Sequence, residues 1–317
     1  WSRFLREANS RRAARRNVHH HYDLSFELYR RFLDADLQYS CAYFETPDVT
    51  LEEAQAAKKR HIAAKLVLTP GQRVLDIGCG FGGMALSLAQ WAEVEVDGVT
   101  LSTEQQAYAA ERAAALGLGR SVRFSLTDYR DVEGPFDRIV SVGMFEHVGR
   151  PNYETYFRQV ARLLQPGGVA LIHTIGRSTG PSTTDPFTAK YIFPGGYIPA
   201  LSEVAPAIER AGLKITDLEV LRFHYALTLR AWRDRFEANR EAIAKLYDER
   251  FCRMWEYYLI GAEMGFRFGD HVVFQFQIAK PPASAIPLTR RYIAEIETAL
   301  ASPADHKIDK KARVIKA

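Results

Sequence analysis

Apolar residues recur along this chain with two different periods, and the change from one to the other divides it. Between residues 25 and 67 they return every three to four positions, over Ser25 to Leu33 and again over Thr50 to Val67, which predicts two amphipathic helices. Thr50 followed by Glu53 forms a capping box for the second. The aromatic run Gln38-Tyr39-Ser40-Cys41-Ala42-Tyr43-Phe44 lies between them as a loop. From residue 71 onward, short apolar runs alternate with helical segments. Strands are predicted at Arg73 to Ile77, Val94 to Val99, Val122 to Leu126, Asp137 to Val142 and Val169 to His173, each bounded by turn residues. Such alternation folds as a doubly wound parallel sheet, with ligands at the carboxyl ends of its strands.

After His173 the pattern loosens into a loop rich in Thr, Ser, Gly and Pro, running through Tyr191-Ile192-Phe193-Pro194-Gly195-Gly196. A helix from Leu201 to Ala211 and a strand from Lys214 to Leu221 follow. Residues 227–264 are helical and dense in Trp, Phe, Tyr and Arg, and Val272 to Ile278 alternates as a last strand. The organisation expected is a helical N-terminal cap with a basic segment over 1–70, an α/β core over 71–280, and a C-terminal helix with a basic tail over 281–317. Insertions at about 176–200 and 227–264 are placed to cover a cleft. No internal repeat is visible.

Candidate chemistry concentrates in Val74 to Ala85, VLDIGCGFGGMA, where an apolar strand ends in Asp76 and glycines follow at Gly78, Gly80, Gly82 and Gly83. Glycine tolerates positive φ and lets a ligand lie against bare backbone. The spacing fits D-x-G-x-G-x-G, the first loop of class I S-adenosylmethionine (SAM) methyltransferases. It also contains Gly78-x-Gly80-x-x-Gly83, the dinucleotide fingerprint, and Asp97 lies about 20 residues beyond Gly78, where a nicotinamide enzyme carries its ribose acid. The loop alone leaves both donors open. The strand Phe136 to Ser141 running into Met144-Phe145-Glu146-His147, and Leu163-Leu164-Gln165-Pro166-Gly167-Gly168 leading into the next strand, follow the order usual in methyltransferases.

Composition narrows the classes. The 317 residues are 47% apolar, ample for a core. Cys41, Cys79 and Cys252 are too scattered for a disulfide framework or a zinc site, which suits a reducing cytoplasm. No apolar stretch approaches the roughly 20 residues that span a bilayer, and no signal-peptide core is visible. The chain opens on Trp1, so further N-terminal sequence is expected. His19-His20-His21 is adjacent in sequence, and neighbouring residues rarely converge on one ion, so no metal is assigned. The net charge is only +4, yet Arg3, Arg6, Arg11, Arg12, Arg15 and Arg16 crowd one end, and Lys307, Lys310, Lys311, Arg313 and Lys316 the other. With Trp1, Phe4 and Leu5 the first cluster reads as an interfacial helix for anionic lipid, or as an ordinary solvated terminus. Nucleic acid fits poorly, since no binding module is recognisable and the basic residues are not interleaved with stacking aromatics.

The motifs then converge. His20-His21-Tyr22-Asp23-Leu24, Gln38-Tyr39-Ser40-Cys41-Ala42-Tyr43, Val74-Leu75-Asp76-Ile77-Gly78-Cys79-Gly80, Gly98-Val99-Thr100-Leu101-Ser102, Gly143-Met144-Phe145-Glu146-His147-Val148-Gly149, His173-Thr174-Ile175-Gly176 and Lys190-Tyr191-Ile192-Phe193-Pro194 occur in this order. From about residue 17 to residue 280 the chain resembles the cyclopropane-fatty-acyl-phospholipid synthases, relatives of the mycolic-acid cyclopropane synthases. The resemblance implies a class I SAM-methyltransferase, Rossmann-like sheet with a helical N-terminal cap and a helical insertion. It implies methylene transfer from SAM to the cis double bond of an unsaturated phospholipid chain, through a carbocation that a bound bicarbonate deprotonates. The bicarbonate set maps onto Glu146, His173 and Tyr225, with backbone from Cys41 and Ile175. The donor site maps onto Tyr39, Ser40, Asp76, Gly78, Gly80, Thr100, Leu101, Gln105 and Tyr129, with Asp128 beside the adenine. Unsaturated phospholipids at an anionic membrane surface are the implied partners, the implied place is peripheral on the inner face of the membrane, and a homodimer is compatible with it.

By position alone, Glu146 would serve equally as a helix cap, His173 as a core histidine and Tyr225 as a core aromatic. Two departures from the family are visible. Ala262 stands where many members carry a cysteine, and Cys252 falls earlier, so no cysteine nucleophile is assigned. The bacterial enzymes often carry an extra N-terminal domain, which this chain is expected either to lack or to have lost. The competing classes are methylation or methylenation without ring closure, small-molecule methyl transfer, a nicotinamide oxidoreductase, and a lipid-binding module without catalysis.

Overall fold

The computed structural model describes residues 25–301. The arginine-rich segment from Arg3 to Arg16, the His19-His20-His21 triplet and the basic tail from His306 lie outside the described residues.

Helices α1 (Phe26–Phe32) and α2 (Leu51–Leu66) are the two helices that the periodicity predicts. The capping box at Thr50 forms: the Glu53 N–H donates to the Thr50 hydroxyl at 3.3 Å, and the Thr50 N–H donates to Glu53 Oε2 at 2.8 Å. The amphipathic reading of α2 is incomplete, however. Lys58 and Lys65 are fully buried together with its apolar residues, because loop and strand groups on both sides satisfy their ammonium groups.

The core alternates as expected through β1 (Arg73–Ile77), α3 (Gly83–Ala92), β2 (Glu95–Thr100), α4 (Thr103–Ala115), β3 (Val122–Leu126), β4 (Phe136–Val142), α5 (Tyr153–Leu163), β5 (Leu164–Arg177), α6 (Leu201–Arg210) and β6 (Lys214–Leu221). Three helices, α7 (Phe223–Ala238), α8 (Arg240–Leu246) and α9 (Glu249–Arg267), precede β7 (His271–Ala279), and α10 (Arg291–Ala301) closes the described chain. The strand order is β3-β2-β1-β4-β5-β7-β6. Strands β1 to β5 pair in parallel, whereas β7 runs antiparallel to both β5 and β6. The sheet is therefore mixed, and the reason is geometric. The helical insertion leaves from the carboxyl end of β6 and hands the chain back at that same edge, where His271 pairs with Arg177, the last residue of β5. A strand entering from that edge has to run backwards. The whole insertion consequently lies over the carboxyl ends of the strands.

Apolar packing covers both faces of the sheet. One cluster joins α5 and α6 to it, and a second joins α2, α3 and α4. A third is aromatic and unites the cap with the insertion: Phe32 of α1 meets Trp232 of α7 and Trp255 of α9 edge-on at 6.0 and 5.9 Å. Cap and insertion thus share one core.

Arg138 of β4 ties α2 to the sheet. Its Nε donates to the Leu66 carbonyl at 2.6 Å and its Nη2 to the Val67 carbonyl at 2.8 Å. These are end-of-helix carbonyls that no helical N–H reaches, and Val67 itself turns the chain at φ 49°. Burial lowers the guanidinium pKa to about 10, so it stays charged at neutral pH. Arg138→Met leaves both carbonyls dry and unpaired, and we expect it to lower stability by about 3 kcal/mol in urea unfolding. A change below about 0.5 kcal/mol, the size of a neutral surface substitution, would show that the carbonyls are satisfied without it.

Candidate active site

Two adjoining cavities open at the carboxyl ends of the strands. The smaller, about 150 Å³, lies over the loop after β1. Tyr39, Ser40, Asp76, Gly78, Gly80, Thr100, Leu101, Gln105, Asp128 and Tyr129, the ten residues expected to hold a donor, all line it. Gly78 and Gly80 adopt φ +80° and +54°, a region that a side chain rarely enters. At Gly78 space is short as well, since a Cβ would stand 2.8 Å from Met144 Cβ. Asp76 is 2% exposed, its Oδ2 has no hydrogen-bond partner among the described residues, and burial raises its carboxyl pKa to about 7. The Thr100 hydroxyl donates to Gln105 Oε1 at 3.0 Å, and the Ser102 hydroxyl caps α4. Asp128 reaches the cavity as an ion pair rather than a bare carboxylate, bound by Arg130 through Nε at 2.8 Å and Nη2 at 2.6 Å. Asp97, the acid a nicotinamide enzyme would need, does not line the cavity and pairs with Arg73 and Arg123 instead.

The larger cavity, about 430 Å³, runs beneath the insertion. Cys41, Glu146, His173, Ile175 and Tyr225 line it together, although they come from the aromatic loop, the turn after β4, strand β5 and helix α7. About a third of the remaining wall is aromatic, with Phe187, Phe193, Tyr257, Tyr258 and Phe266 among it. Tyr39, Ser40, Gly143 and His147 belong to both cavities and form their common wall. A molecule in one cavity therefore meets a molecule in the other there.

Its polar lining includes Glu146, His173, Arg177, Asp185 and the threonines Thr183, Thr184 and Thr188. Glu146 Oε1 accepts the Ile175 N–H at 2.7 Å, whereas its buried Oε2 has no partner among the described residues. Burial raises the Glu146 carboxyl pKa to about 7. The Ile175 N–H, expected to face an anion, is thus engaged in aiming Glu146. His173 is held neutral, with burial depressing its pKa, and its Nδ1 is paired with the Gln275 amide at 3.1 Å. Burial also raises the Cys41 thiol, keeping it protonated. Ala262 lines the cavity, while Cys252 is buried in the aromatic cluster away from it.

Several residues of this site escape sequence reasoning. His147 is in the common wall, with its pKa lowered to about 4 by burial, and only its place beside Glu146 hints at it. Lys58 donates from α2 to Gln38 Oε1 at 2.7 Å and Ser40 Oγ at 2.8 Å, fixing the loop that carries the common wall. A lysine in a helix reads as solvated, so nothing in the pattern marks it. Met144 and Arg130 join the donor cavity only through folding.

Comparison with known proteins finds clear likenesses in sequence and fold. The model of the mycolic acid cyclopropane synthetase family matches residues 9–276. The cyclopropane-fatty-acyl-phospholipid synthase of Escherichia coli K12 is 46% identical over 270 residues, 85% of this chain and 69% of that protein. The tuberculostearic acid methyltransferase UfaA1 of Mycobacterium tuberculosis is 41% identical over 289 residues, 86% of this chain and 67% of that one. The structure of mycolic acid cyclopropane synthase CmaA1 with SAH and CTAB superimposes with a TM-score of 0.80 at 37% identity, covering 84% of this chain and 98% of that chain.

Gly78 and Gly80 make different demands, and substitutions should separate them. Gly78→Val drives a side chain into Met144 on the cavity wall, and we expect SAM affinity to fall by roughly 100-fold, about 2.8 kcal/mol. A Cβ at Gly80 meets nothing within 4 Å, so Gly80→Ala carries only the left-handed strain of about 1–2 kcal/mol and should bind SAM measurably. Calorimetry checks both. Equal affinities for the two variants would mean that Met144 yields freely.

Proposed function

The chain belongs to the mycolic acid cyclopropane synthetase family, and from that premise we propose that it forms a cyclopropane ring across the cis double bond of an unsaturated phospholipid acyl chain. It is a SAM-dependent transferase acting on unsaturated lipid acyl chains. The finer reading is carried by one observation: a cavity walled in part by aromatic rings, with Glu146, His173 and Tyr225 among its polar groups, shares a wall with the cavity over the glycine loop.

The residues present fit both groups that the family implies. SAM supplies an electrophilic methyl; the positive-φ glycines and the unpartnered Asp76 Oδ2 suit its amino-acid end. Bicarbonate supplies a base small enough to reach a proton beside the lipid; Glu146, with Oε2 unpartnered, His173 and Tyr225 would hold it.

The chain's own groups have separable tasks. An alkene is a weak nucleophile, so the common wall of Tyr39, Ser40, Gly143 and His147 contributes by holding two reactants close. Water would trap a carbocation as an alcohol, so the cover that the insertion places over the crevice serves to limit its access. Aromatic faces stabilise positive charge on the chain. His173, neutral, can donate from one ring nitrogen without bringing a competing charge. Glu146 accepts a hydrogen bond when ionised and donates one when protonated. With its pKa raised to about 7, it is protonated below that pH and an acceptor above it.

The membrane is the second part of the proposal. The mouth of the larger cavity carries Phe187 packed edge-on against Tyr257 at 4.8 Å, with Tyr191 beside it. Tyr257 and Tyr191 are 64% and 44% exposed, and Lys190 lies over the Tyr191 ring at 4.8 Å. Apolar rings flanked by cations suit the headgroup level of an anionic bilayer. The docking proposed is peripheral, on the cytoplasmic face. No helix among the described residues is long and apolar enough to cross a membrane.

Incubation with SAM and monounsaturated phospholipid vesicles, followed by mass spectrometry and proton NMR of the released fatty acids, tests the reaction. We expect ring protons upfield of the chain and a product one CH2 heavier. A methyl branch without a ring would replace ring closure with the alternative reading. In the same assay turnover should rise with pH through about 7, the range in which Glu146 becomes an acceptor. Glu146→Gln should lower it roughly 100-fold with SAM affinity unchanged, and unchanged turnover would remove Glu146 from the mechanism. At the mouth, Lys190→Gln with Tyr191→Ser should slow turnover on anionic vesicles several-fold, at about 1 kcal/mol per lysine. Detergent-dispersed lipid should be unaffected, and equal losses on both substrates would place these residues in the fold rather than at the bilayer.

A further inference from the structure

One row of side chains crosses the antiparallel half of the sheet. Glu219 of β6 pairs in register with Gln275 of β7, and Gln275 pairs in register with His173 of β5. Lys65 of α2 is fully buried and lies over this row. Its Nζ donates to Glu219 and, at 2.8 Å, to Gln275 Oε1, with Asp217 Oδ2 3.7 Å away. On the other side, Gln275 Nε2 stands 3.1 Å from His173 Nδ1.

The donor inventory makes this arrangement directional. An ammonium carries donors and no acceptor, so the Gln275 amide has to present its oxygen to Lys65. The amide NH2 then faces His173 and can only donate, so Nδ1 has to accept. A flipped amide would set NH2 against an ammonium and oxygen against the ring, losing the Lys65 bond in a site where Gln275 is 0% exposed. In a neutral imidazole an accepting Nδ1 means a proton on Nε2. That nitrogen belongs to a residue lining the larger cavity.

We propose that Glu219, Lys65 and Gln275 are positioning residues that hold His173 as the Nε2–H tautomer, so that it keeps one hydrogen-bond donor available to the larger cavity. None of the three lines either cavity; they act through His173. The proposal rests on the reading of His173 as a donor to a small anion beside the lipid. The direction of the relay stands on the hydrogen-bond chemistry alone.

Gln275→Glu is the discriminating variant. It keeps the shape and the contact to Lys65, but it offers Nδ1 only an acceptor, so the proton is drawn to Nδ1. The readout is nitrogen NMR of protein carrying ring-labelled histidine, with the His173 signals identified by their loss in His173→Gln. We expect the parent to show Nδ1 unprotonated and Nε2 protonated, and Gln275→Glu to show Nδ1 protonated. We also expect kcat to fall by at least about tenfold, with SAM affinity and the unfolding midpoint close to the parent's. A parent protonated on Nδ1 overturns the proposal, and this measurement needs no variant to fold. Unchanged Nδ1 in Gln275→Glu overturns it too. A moved proton with unchanged kcat supports the relay and removes the donor role of His173 from the proposed function.

Discussion

The burial of two lysines in α2 is the constraint around which both cavities are arranged. A desolvated ammonium is tolerated only when acceptors surround it. Lys58 finds them in Gln38 Oε1 and Ser40 Oγ, and Lys65 in Glu219 and Gln275 Oε1. The first set draws the aromatic loop down onto α2 and so positions Tyr39 and Ser40 in the wall that the cavities share. The second orients the amide that touches His173. Burial lowers the Lys58 pKa to about 8, so its charge persists at neutral pH and the acceptors stay committed. Arg138 serves the same helix at its carboxyl end, beside Lys65, binding the carbonyls of Leu66 and Val67. A helix that periodicity presents as half solvated is in fact a polar spine inside the protein.

Topology supplies the second requirement, a cover over the crevice. The insertion departs from β6 and returns into β7 at one edge of the sheet, which reverses β7 and puts α7 to α9 over the ligand crevice. Its aromatic residues pack with α1 into one cluster. The roof of the larger cavity is therefore anchored at its back by Phe32, Trp232 and Trp255 and left open at its rim by Tyr257 and Tyr191. Reactive positive charge needs such a roof, and an acyl chain needs such an opening.

Local chemistry made much of this legible in advance. The strand-then-glycine pattern at Asp76 to Gly83, the capping box at Thr50 and the alternating strands are short-range signals, and each appears as read, with bounds shifted by a few residues. The residues that the family resemblance assigns to a donor and to an anion do gather, each set lining one cavity. Asp97 shows the limit of spacing arguments. It stands the right distance from Gly78 for a ribose acid, yet its partners are Arg73 and Arg123, because a side chain's direction depends on the strand's pleat as well as on its count.

The sequence by itself determined the element order, the glycine loop at the end of β1 and the family's motif set, since all of these depend on neighbours within a few positions. Tertiary structure alone decided the reversal of β7, the burial of Lys58 and Lys65, the ion pair that Asp128 makes with Arg130, and the engagement of the Ile175 N–H by Glu146. It also decided that Gln275 stands between a lysine and a histidine far from it in the chain. The reason is physical: backbone preference is local, whereas the partner of a buried polar group is whichever group the sheet and helices bring within hydrogen-bond reach.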